Sequence, residues 1–195
     1  KFLEFGVYIR NRSRVYELAR PQVRELAEET GEVATFMVEE HGRGVSLCRE
    51  GGENAVRIDN FPGRRVELHC TGLGKAMLAY FSKDKVDSII ERHGLPRKTE
   101  YTITSEVELR EELSEIRERG YAFDRQERHR GLRCVAAPVL SDDETVIGAI
   151  SISAPTSRME GERFTETIPE AVLGAKNVIE VNVTYSSPDG NITVK

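Results

Sequence analysis

Apolar and polar positions alternate along the first half of the chain in the way that β-strands require. The pattern predicts strands at residues 33–40, 45–50 and 55–61, with glycine-rich turns between them. A short strand at residues 65–69 is expected next. Strands joined by such short turns favour an antiparallel meander.

Apolar residues spaced three and four apart predict helices on either side of these strands. Phe2, Phe5 and Ile9 would share one face of a helix within residues 1–18, and Pro21 suits the first turn of a second helix that Gly31 ends.

Three further helices are expected later in the chain. A compact apolar helix covers residues 76–81, and another begins after Ser82 and ends at Gly94. Ser105 with Glu108 forms a capping box for a helix that Gly120 ends. A last helix is predicted at residues 162–185, followed by a polar, turn-rich tail.

Two apolar stretches, residues 121–139 and 147–155, predict buried strands that carry polar groups inward. The polar positions are Asp124, Cys134, Ser151 and Ser153. A buried polar atom without a partner costs about 1–3 kcal/mol, and a small polar ligand is one way to satisfy it. Two alternatives remain open from the residues alone. Asp124 could pair with an arginine of the following charged loop, and the serines could face water on a half-exposed strand.

The turn from residue 71 to residue 75 is a second candidate site. Thr71 can cap the helix that follows, and Gly72 and Gly74 allow a ligand to approach the backbone closely. Unpaired N–H groups at a helix start favour a carboxylate or another anion, although most such starts bind only water. The spacing differs from that of a phosphate-binding P-loop. Taken together, the pattern predicts one α+β domain with an antiparallel sheet of about six strands flanked by helices.

Three motifs resemble the effector-binding domain of the IclR family of prokaryotic transcription regulators. They are Thr71-Gly72-Leu73-Gly74-Lys75-Ala76, Gly131-Leu132-Arg133-Cys134-Val135-Ala136-Ala137-Pro138 and Ser151-Ile152-Ser153. The resemblance implies a GAF-like or profilin-like sheet. It also implies that residues 1–18 are a linker helix from a missing N-terminal winged helix-turn-helix, that residues 19–185 form the effector-binding domain, and that residues 186–195 are a flexible tail.

The resemblance further implies a ligand pocket and the partners of the parent protein. The expected ligand-binding residues are Val56, Thr71, Gly72, Leu73, Asp124, Leu132, Cys134, Ser151 and Ser153. Leu73 is bulkier than the alanine common in relatives that bind two- and three-carbon keto acids, and the larger side chain would shrink the pocket or recognise a different apolar group. The implied partners are a small carboxylic acid, a second or further copies of the chain as a homodimer or homotetramer, and operator DNA through the missing domain.

Composition removes several other classes of function. The chain has 195 residues, a net charge of −5 and three cysteines in widely separated places. The charge does not favour nucleic-acid binding by this piece alone, and the cysteines do not suggest a disulfide framework. No run is long and apolar enough for a membrane span, so a cytoplasmic location is expected. Without a catalytic or metal-binding motif, we expect no enzyme activity and no cofactor. The remaining alternative is a GAF-like sensor of another signalling protein that has no DNA partner.

Overall fold

The computed structural model describes residues 13–56 and 62–186, which form a six-stranded sheet with helices on both faces. The helices are α1 (Arg14–Thr30), α2 (Gly72–Leu78), α3 (Lys83–His93), α4 (Glu106–Arg119) and α5 (Ile168–Ser186). The strands are β1 (Val33–Glu40), β2 (Arg43–Gly51), β3 (Arg65–Glu67), β4 (Ala122–Arg125), β5 (Leu132–Leu140) and β6 (Val146–Pro155).

The sheet has the strand order β3-β2-β1-β6-β5-β4, and every neighbouring pair is antiparallel. The predicted α+β architecture with about six strands is therefore confirmed. Since successive side chains point to opposite faces of a strand, the long central strands β1, β5 and β6 contribute to two separate cores.

One face of the sheet is covered by α1 and α5 and is almost entirely apolar. Phe36 of β1, Val135 of β5 and Ile152 of β6 are fully buried there. Val23 of α1 and Val172 of α5 pack into the same cluster. We call this the closed face.

The other face carries α2 and α4 over an apolar cluster of its own. Met77 of α2 and Leu113 of α4 are buried against β1, β5 and β6. This second cluster covers only part of its face, and the rest of that face carries polar side chains. We call it the pocket face.

An ion pair joins the residue between α1 and β1 to the chain that follows β6. Glu32, between α1 and β1, is 0% exposed and accepts hydrogen bonds of 2.7 Å from both Nε and Nη2 of Arg158. Arg158 also donates to the carbonyl of Asn54, and Arg163 donates to the carbonyl of Thr30 at the end of α1. The end of α1, the β2–β3 loop and the exit from β6 are thereby held as one unit.

The local helix signals in the sequence act as predicted. The hydroxyls of Ser82 and Ser105 accept hydrogen bonds from the N–H groups of Lys85 and Glu108, at the starts of α3 and α4. Gly120 ends α4 with a positive φ of 83°. The last predicted helix is present as α5, preceded by a π-helical turn at Arg163–Thr167 that the pattern does not indicate.

The prediction for Pro21 is wrong. It lies inside α1, which begins at Arg14, rather than in the first turn of a separate helix. A proline in a helix removes the hydrogen bond to the carbonyl four residues earlier. Burial of Ala19 before it and of Val23 after it on the closed face holds the helix together. Most of the predicted linker helix, residues 1–12, and the tail at 187–195 lie outside the described residues.

Two strand predictions also need correction. Residues 55 and 56 belong to no strand, and residues 57–61 lie outside the described part, so the strand that pairs with β2 is β3. The stretch 121–139 forms two strands, because the chain turns at residues 126–131 and β4 pairs back onto β5. None of the described helices is long and apolar enough to cross a lipid bilayer.

Candidate ligand-binding site

A cavity of about 60 Å³ lies on the pocket face, between the start of α2 and the sheet. It is partly open to solvent, and apolar and polar side chains alternate around it. Its lining residues are Val33, Thr35, Met37, Arg49, Val66, Thr71, Gly72, Leu73, Asp124, Arg128, His129, Leu132, Arg133, Cys134 and Ser153.

Strand register brings the polar residues of the floor into one row. Asp124 of β4 pairs with Cys134 of β5, which pairs with Ser153 of β6, which pairs with Val33 of β1. Residues directly opposite one another in a sheet share a face. A carboxyl, a thiol and a hydroxyl from three different strands therefore point toward the same space.

The start of α2 lies directly over this row because two of its residues are glycines. A Cβ atom on Gly72 would lie 3.0 Å from Sγ of Cys134, and one on Gly74 would lie 2.1 Å from the carbonyl oxygen of Leu68. The Thr71 hydroxyl caps the helix by accepting from Gly74 N at 3.0 Å. The glycines therefore let this helix approach the strands closely and narrow the cavity.

Asp124 is the most strongly perturbed acid of the site. It is buried, and its Oδ1 accepts a hydrogen bond from the backbone N–H of Glu127 at 2.7 Å. Desolvation, and then the nearby Glu127 carboxylate, raise the pKa of Asp124 to about 7, although Lys75 opposes the shift. In the described residues no ion pair joins Asp124 to an arginine, so the expected alternative, a pairing with an arginine of the following charged loop, is not found. Near neutral pH this carboxyl can donate as well as accept a hydrogen bond.

A buried lysine fixes the loop residue that donates a hydrogen bond to Asp124, namely Glu127. The side chain of Lys75 is 1% exposed, and its Nζ lies 2.6 Å from Oε1 of Glu127 and 3.3 Å from Oε1 of Glu112. Burial raises the pKa of Glu127, and the charge of Lys75 opposes that shift. Lys75 belongs to the sequence motif of the α2 turn, but its role is to hold the loop that follows β4 rather than to face the cavity.

Hydrogen bonds from two threonines fix the same loop. Thr102 Oγ1 donates to the carbonyl of Glu127 at 2.6 Å, and Thr99 Oγ1 donates to the carbonyl of Gln126 at 2.8 Å. The loop then places Arg128 and His129 at the cavity. These bonds link residues far apart in sequence, so no local motif indicates them.

The thiol of Cys134 is held in its neutral form. Burial, and then the charge of Asp124, raise the pKa of Cys134 to about 12. A thiol is a strong nucleophile only as the thiolate. Cys134 is therefore suited to ligand contact through a neutral, polarizable atom.

The structure brings seven of the nine predicted ligand-binding residues together around the cavity. They are Thr71, Gly72, Leu73, Asp124, Leu132, Cys134 and Ser153. Ser151 is 0% exposed and lies behind the lining, and Val56 is not part of the lining at all. Val56 instead accepts a hydrogen bond at its carbonyl from Arg49 Nη2 at 3.3 Å. Since residues 55 and 56 form no strand, the side chain of Val56 is not the predicted apolar wall.

Arg49 is the main lining residue that sequence reasoning missed. A regular β2 would place Ser46 and Cys48 on the pocket face. The register shifts by one residue between them, so that Cys48 pairs with Phe36 on the closed face and Arg49 pairs with Thr35 on the pocket face. Bulges of this kind re-aim side chains, and alternation alone cannot reveal them.

Comparison with known proteins agrees with the fold. The profile of the family described as "Bacterial transcriptional regulator IclR C-terminal" matches residues 8–180. The transcriptional repressor IclR of Escherichia coli is 34% identical over 163 residues, which cover 83% of this chain and 60% of the repressor. The crystal structure of IclR from Thermotoga maritima superposes with a TM-score of 0.87 at 26% identity, over 93% of this chain and 73% of that one.

A second solved structure contains a bound ligand. An IclR homolog from Microbacterium hydrocarbonoxydans in complex with 4-hydroxybenzoate superposes with a TM-score of 0.79 over 89% of this chain and 69% of that one. Its identity of 23% shows the common fold only.

The match to the family profile and the similarity to curated relatives place the chain among the C-terminal regions of transcription regulators. The chain belongs to the IclR family and corresponds to its C-terminal region. It spans 60% of the length of the Escherichia coli repressor. Family membership also decides against the alternative of a sensor from an unrelated signalling architecture.

Proposed function

We propose that this domain binds a small organic acid in the cavity of the pocket face and thereby controls how a DNA-binding domain is presented. The observation that carries the proposal is the row formed by Asp124, Cys134 and Ser153 under the start of α2. These groups point into a partly enclosed space, where a ligand with hydroxyl, carbonyl or carboxylate oxygens would replace water as their partner.

The size of the cavity supports a compact effector. Its volume of about 60 Å³ is well below the ~150 Å³ of an engineered cavity that holds benzene. Leu73 is 5% exposed and occupies part of the cavity wall. An acid of a few carbon atoms fits this shape directly, whereas a ring such as that of the 4-hydroxybenzoate bound by the Microbacterium homolog requires the walls to move.

The effect on DNA binding follows from linkage. A ligand shifts a conformational equilibrium only by the difference between its affinities for the two states. In a homodimer or homotetramer, each copy would bind the acid, and the arrangement of subunits that binds it better would become more populated. The operator contacts belong to a domain outside this chain.

A thermal-shift screen of the chain against small carboxylic acids tests the proposal. Acids that bind the native state should raise Tm in proportion to their concentration. The double variant Ser151→Ala/Ser153→Ala should lose most of that shift, while Ser88→Ala, at an exposed position of α3, should keep it. If no acid stabilises the chain, or if all three proteins respond equally, the proposed site is wrong.

A further inference from the structure

The cavity is lined by three arginines, and their surroundings differ. Arg128 Nη1 lies 3.6 Å from Oε2 of Glu67, so its charge has a carboxylate partner. Arg133 Nη1 donates to the carbonyl of Met159 at 2.6 Å, and its guanidinium lies over the ring of Phe164. Nε of Arg133 is buried without a hydrogen-bond partner in the described residues, but its guanidinium packs against Phe164 of the closed-face cluster rather than toward the cavity.

The side chain of Arg49 differs from that of Arg133 because it lies on the pocket face, where Arg49 pairs with Thr35. Its only hydrogen bond in the described residues is the 3.3 Å contact from Nη2 to the carbonyl of Val56. Its Nε is buried and has no hydrogen-bond partner in residues 13–56 and 62–186. Within the same residues, no carboxylate lies within ion-pair distance of its guanidinium. Burial lowers the pKa of Arg49, because desolvation disfavours its charged form.

The bulge in β2 makes this placement specific. Cys48, the residue before Arg49, is buried on the closed face. Without the shift in register, alternation would put Arg49 on that apolar face and Cys48 on the pocket face. The backbone thus departs from regular pairing at the point that turns a guanidinium toward the cavity.

We propose that Arg49 is the residue that recognises the acidic group of the effector, by a charge-assisted hydrogen bond from its unpartnered Nε edge. The inference rests on the proposed function and adds a selectivity: the pocket prefers a carboxylate to a neutral group of the same shape. Asp124, Cys134 and Ser153, which lie on β4, β5 and β6 of the same face, then contact the uncharged part of the ligand.

The alternative placement of the acidic group, at the start of α2, is less well supported. That helix has only seven residues, and one of its free N–H groups is already satisfied by the Thr71 hydroxyl. A guanidinium offers a full charge and a planar pair of donors that match a carboxylate.

Matched pairs of acids and amides test this assignment. The probes are glycolate with glycolamide, pyruvate with pyruvamide, and 4-hydroxybenzoate with 4-hydroxybenzamide, and the measurement is Kd by titration calorimetry. Each amide keeps the shape of its acid but lacks the charge. The unsubstituted chain should bind at least one acid about 10-fold or more tightly than its amide, as expected for a hydrogen bond to a charged group.

Substitution of Arg49 should remove this preference. In Arg49→Gln the ratio of the two Kd values should fall to about 1–2, and Arg49→Lys should restore part of it because the charge remains. Arg65→Gln is the control, since Arg65 is an exposed arginine on the adjacent strand that pairs with Glu40 at 2.9 Å. Tm without ligand verifies that each variant is folded.

The outcomes separate the two proposals. If no probe binds the unsubstituted chain, the proposed function is overturned, and this inference falls with it. If acids and amides bind but the preference for acids is absent, or survives in Arg49→Gln, the pocket is real and Arg49 is not its acid-binding residue. Loss of the preference in Arg49→Gln but not in Arg65→Gln supports the assignment.

Discussion

The closed face and the pocket face are built from the same strands, but one is packed with apolar side chains and the other leaves polar side chains beside a cavity. On the closed face, Phe36, Val135 and Ile152 are fully buried against two long helices in an apolar cluster. On the pocket face, the intervening residues Cys134 and Ser153 stand beside a cavity. Strand alternation thus divides one stretch of sequence into a part that stabilises the fold and a part that is available to a ligand.

The two faces bury their charges in different places: Glu32 is buried just after α1, outside the apolar cluster of the closed face, whereas the buried charges of the pocket face lie next to the cavity-lining Asp124. Lys75 and Glu127 are buried on the pocket side, where they hold the loop after β4 in place. Burying such a pair gains little net stability compared with apolar packing, because desolvation offsets the attraction. The comparison indicates that the pocket face gives up stability in order to position polar groups.

The largest effect is expected from truncation on the closed face. Phe36→Ala removes a fully buried ring and should lower the free energy of unfolding by about 4 kcal/mol. Thr35→Ala, the adjacent residue on the pocket face, should cost about 1 kcal/mol. Urea unfolding monitored by circular dichroism measures both. Equal losses would contradict the division between the two faces.

Breaking the buried ion pair between Lys75 and Glu127 should have the next largest effect on the free energy of unfolding. Lys75→Met leaves the Glu127 and Asp124 carboxyls buried without their cation and should cost about 3 kcal/mol. Adding Glu127→Gln removes one of those carboxylates, so the double variant should be more stable than Lys75→Met alone. A double variant whose loss equals the sum of the two single losses would show that the pair is not coupled.

The pH dependence of stability should report on Asp124. Because its folded pKa is raised from 3.8 to about 7, the native chain holds a proton that the unfolded chain has already lost between these values. Stability should therefore fall as the pH rises through this window. Glu127 has a raised pKa as well and adds to the same slope, while the cation of Lys75 and the backbone N–H groups of residues 127 and 128 oppose the shift of Asp124.

The isosteric variant Asp124→Asn isolates this contribution. It cannot ionise, yet its side-chain oxygen can still accept from Glu127 N. Unfolding free energies at about pH 5 and about pH 8 should differ less in Asp124→Asn than in the unsubstituted chain. An unchanged difference would show that Asp124 is already ionised across this range.

The smallest effect is expected at Ser151. Its Oγ is buried without a hydrogen-bond partner in the described residues, so Ser151→Ala should change the free energy of unfolding by no more than about 0.5 kcal/mol, or stabilise the chain slightly. The thermal-shift experiment with a bound acid, applied to Ser151→Ala, tests whether Ser151 contributes to ligand binding. A large destabilisation without ligand would reveal a structural partner for this hydroxyl.

Much of the fold can be predicted from sequence because its signals are local. Ser105 with Glu108 and the terminal Gly120 define α4 within one residue, since a cap depends only on neighbouring backbone groups. The inward polar positions of β4, β5 and β6 are equally visible, because they interrupt apolar strands. Motif resemblance then supplies the arrangement of most of the pocket.

The features that sequence does not reveal depend on distant contacts. Pro21 is a local signal for a helix start, but packing on the closed face overrides it. The bulge that turns Arg49 toward the cavity depends on how β1 and β2 pair. The role of Lys75 depends on Glu127, which lies 52 residues later in the chain.

The ion pair between the buried Glu32 and Arg158 couples the position of α1 to that of β1. Glu32 directly precedes Val33, which lines the cavity, and follows the helix that runs toward the beginning of the chain. Both carboxylate oxygens of Glu32 accept hydrogen bonds from Arg158. The short junction between α1 and β1 is therefore held in one position relative to the end of β6. A change in the tilt of β1 at the cavity would therefore change the orientation of α1 as well.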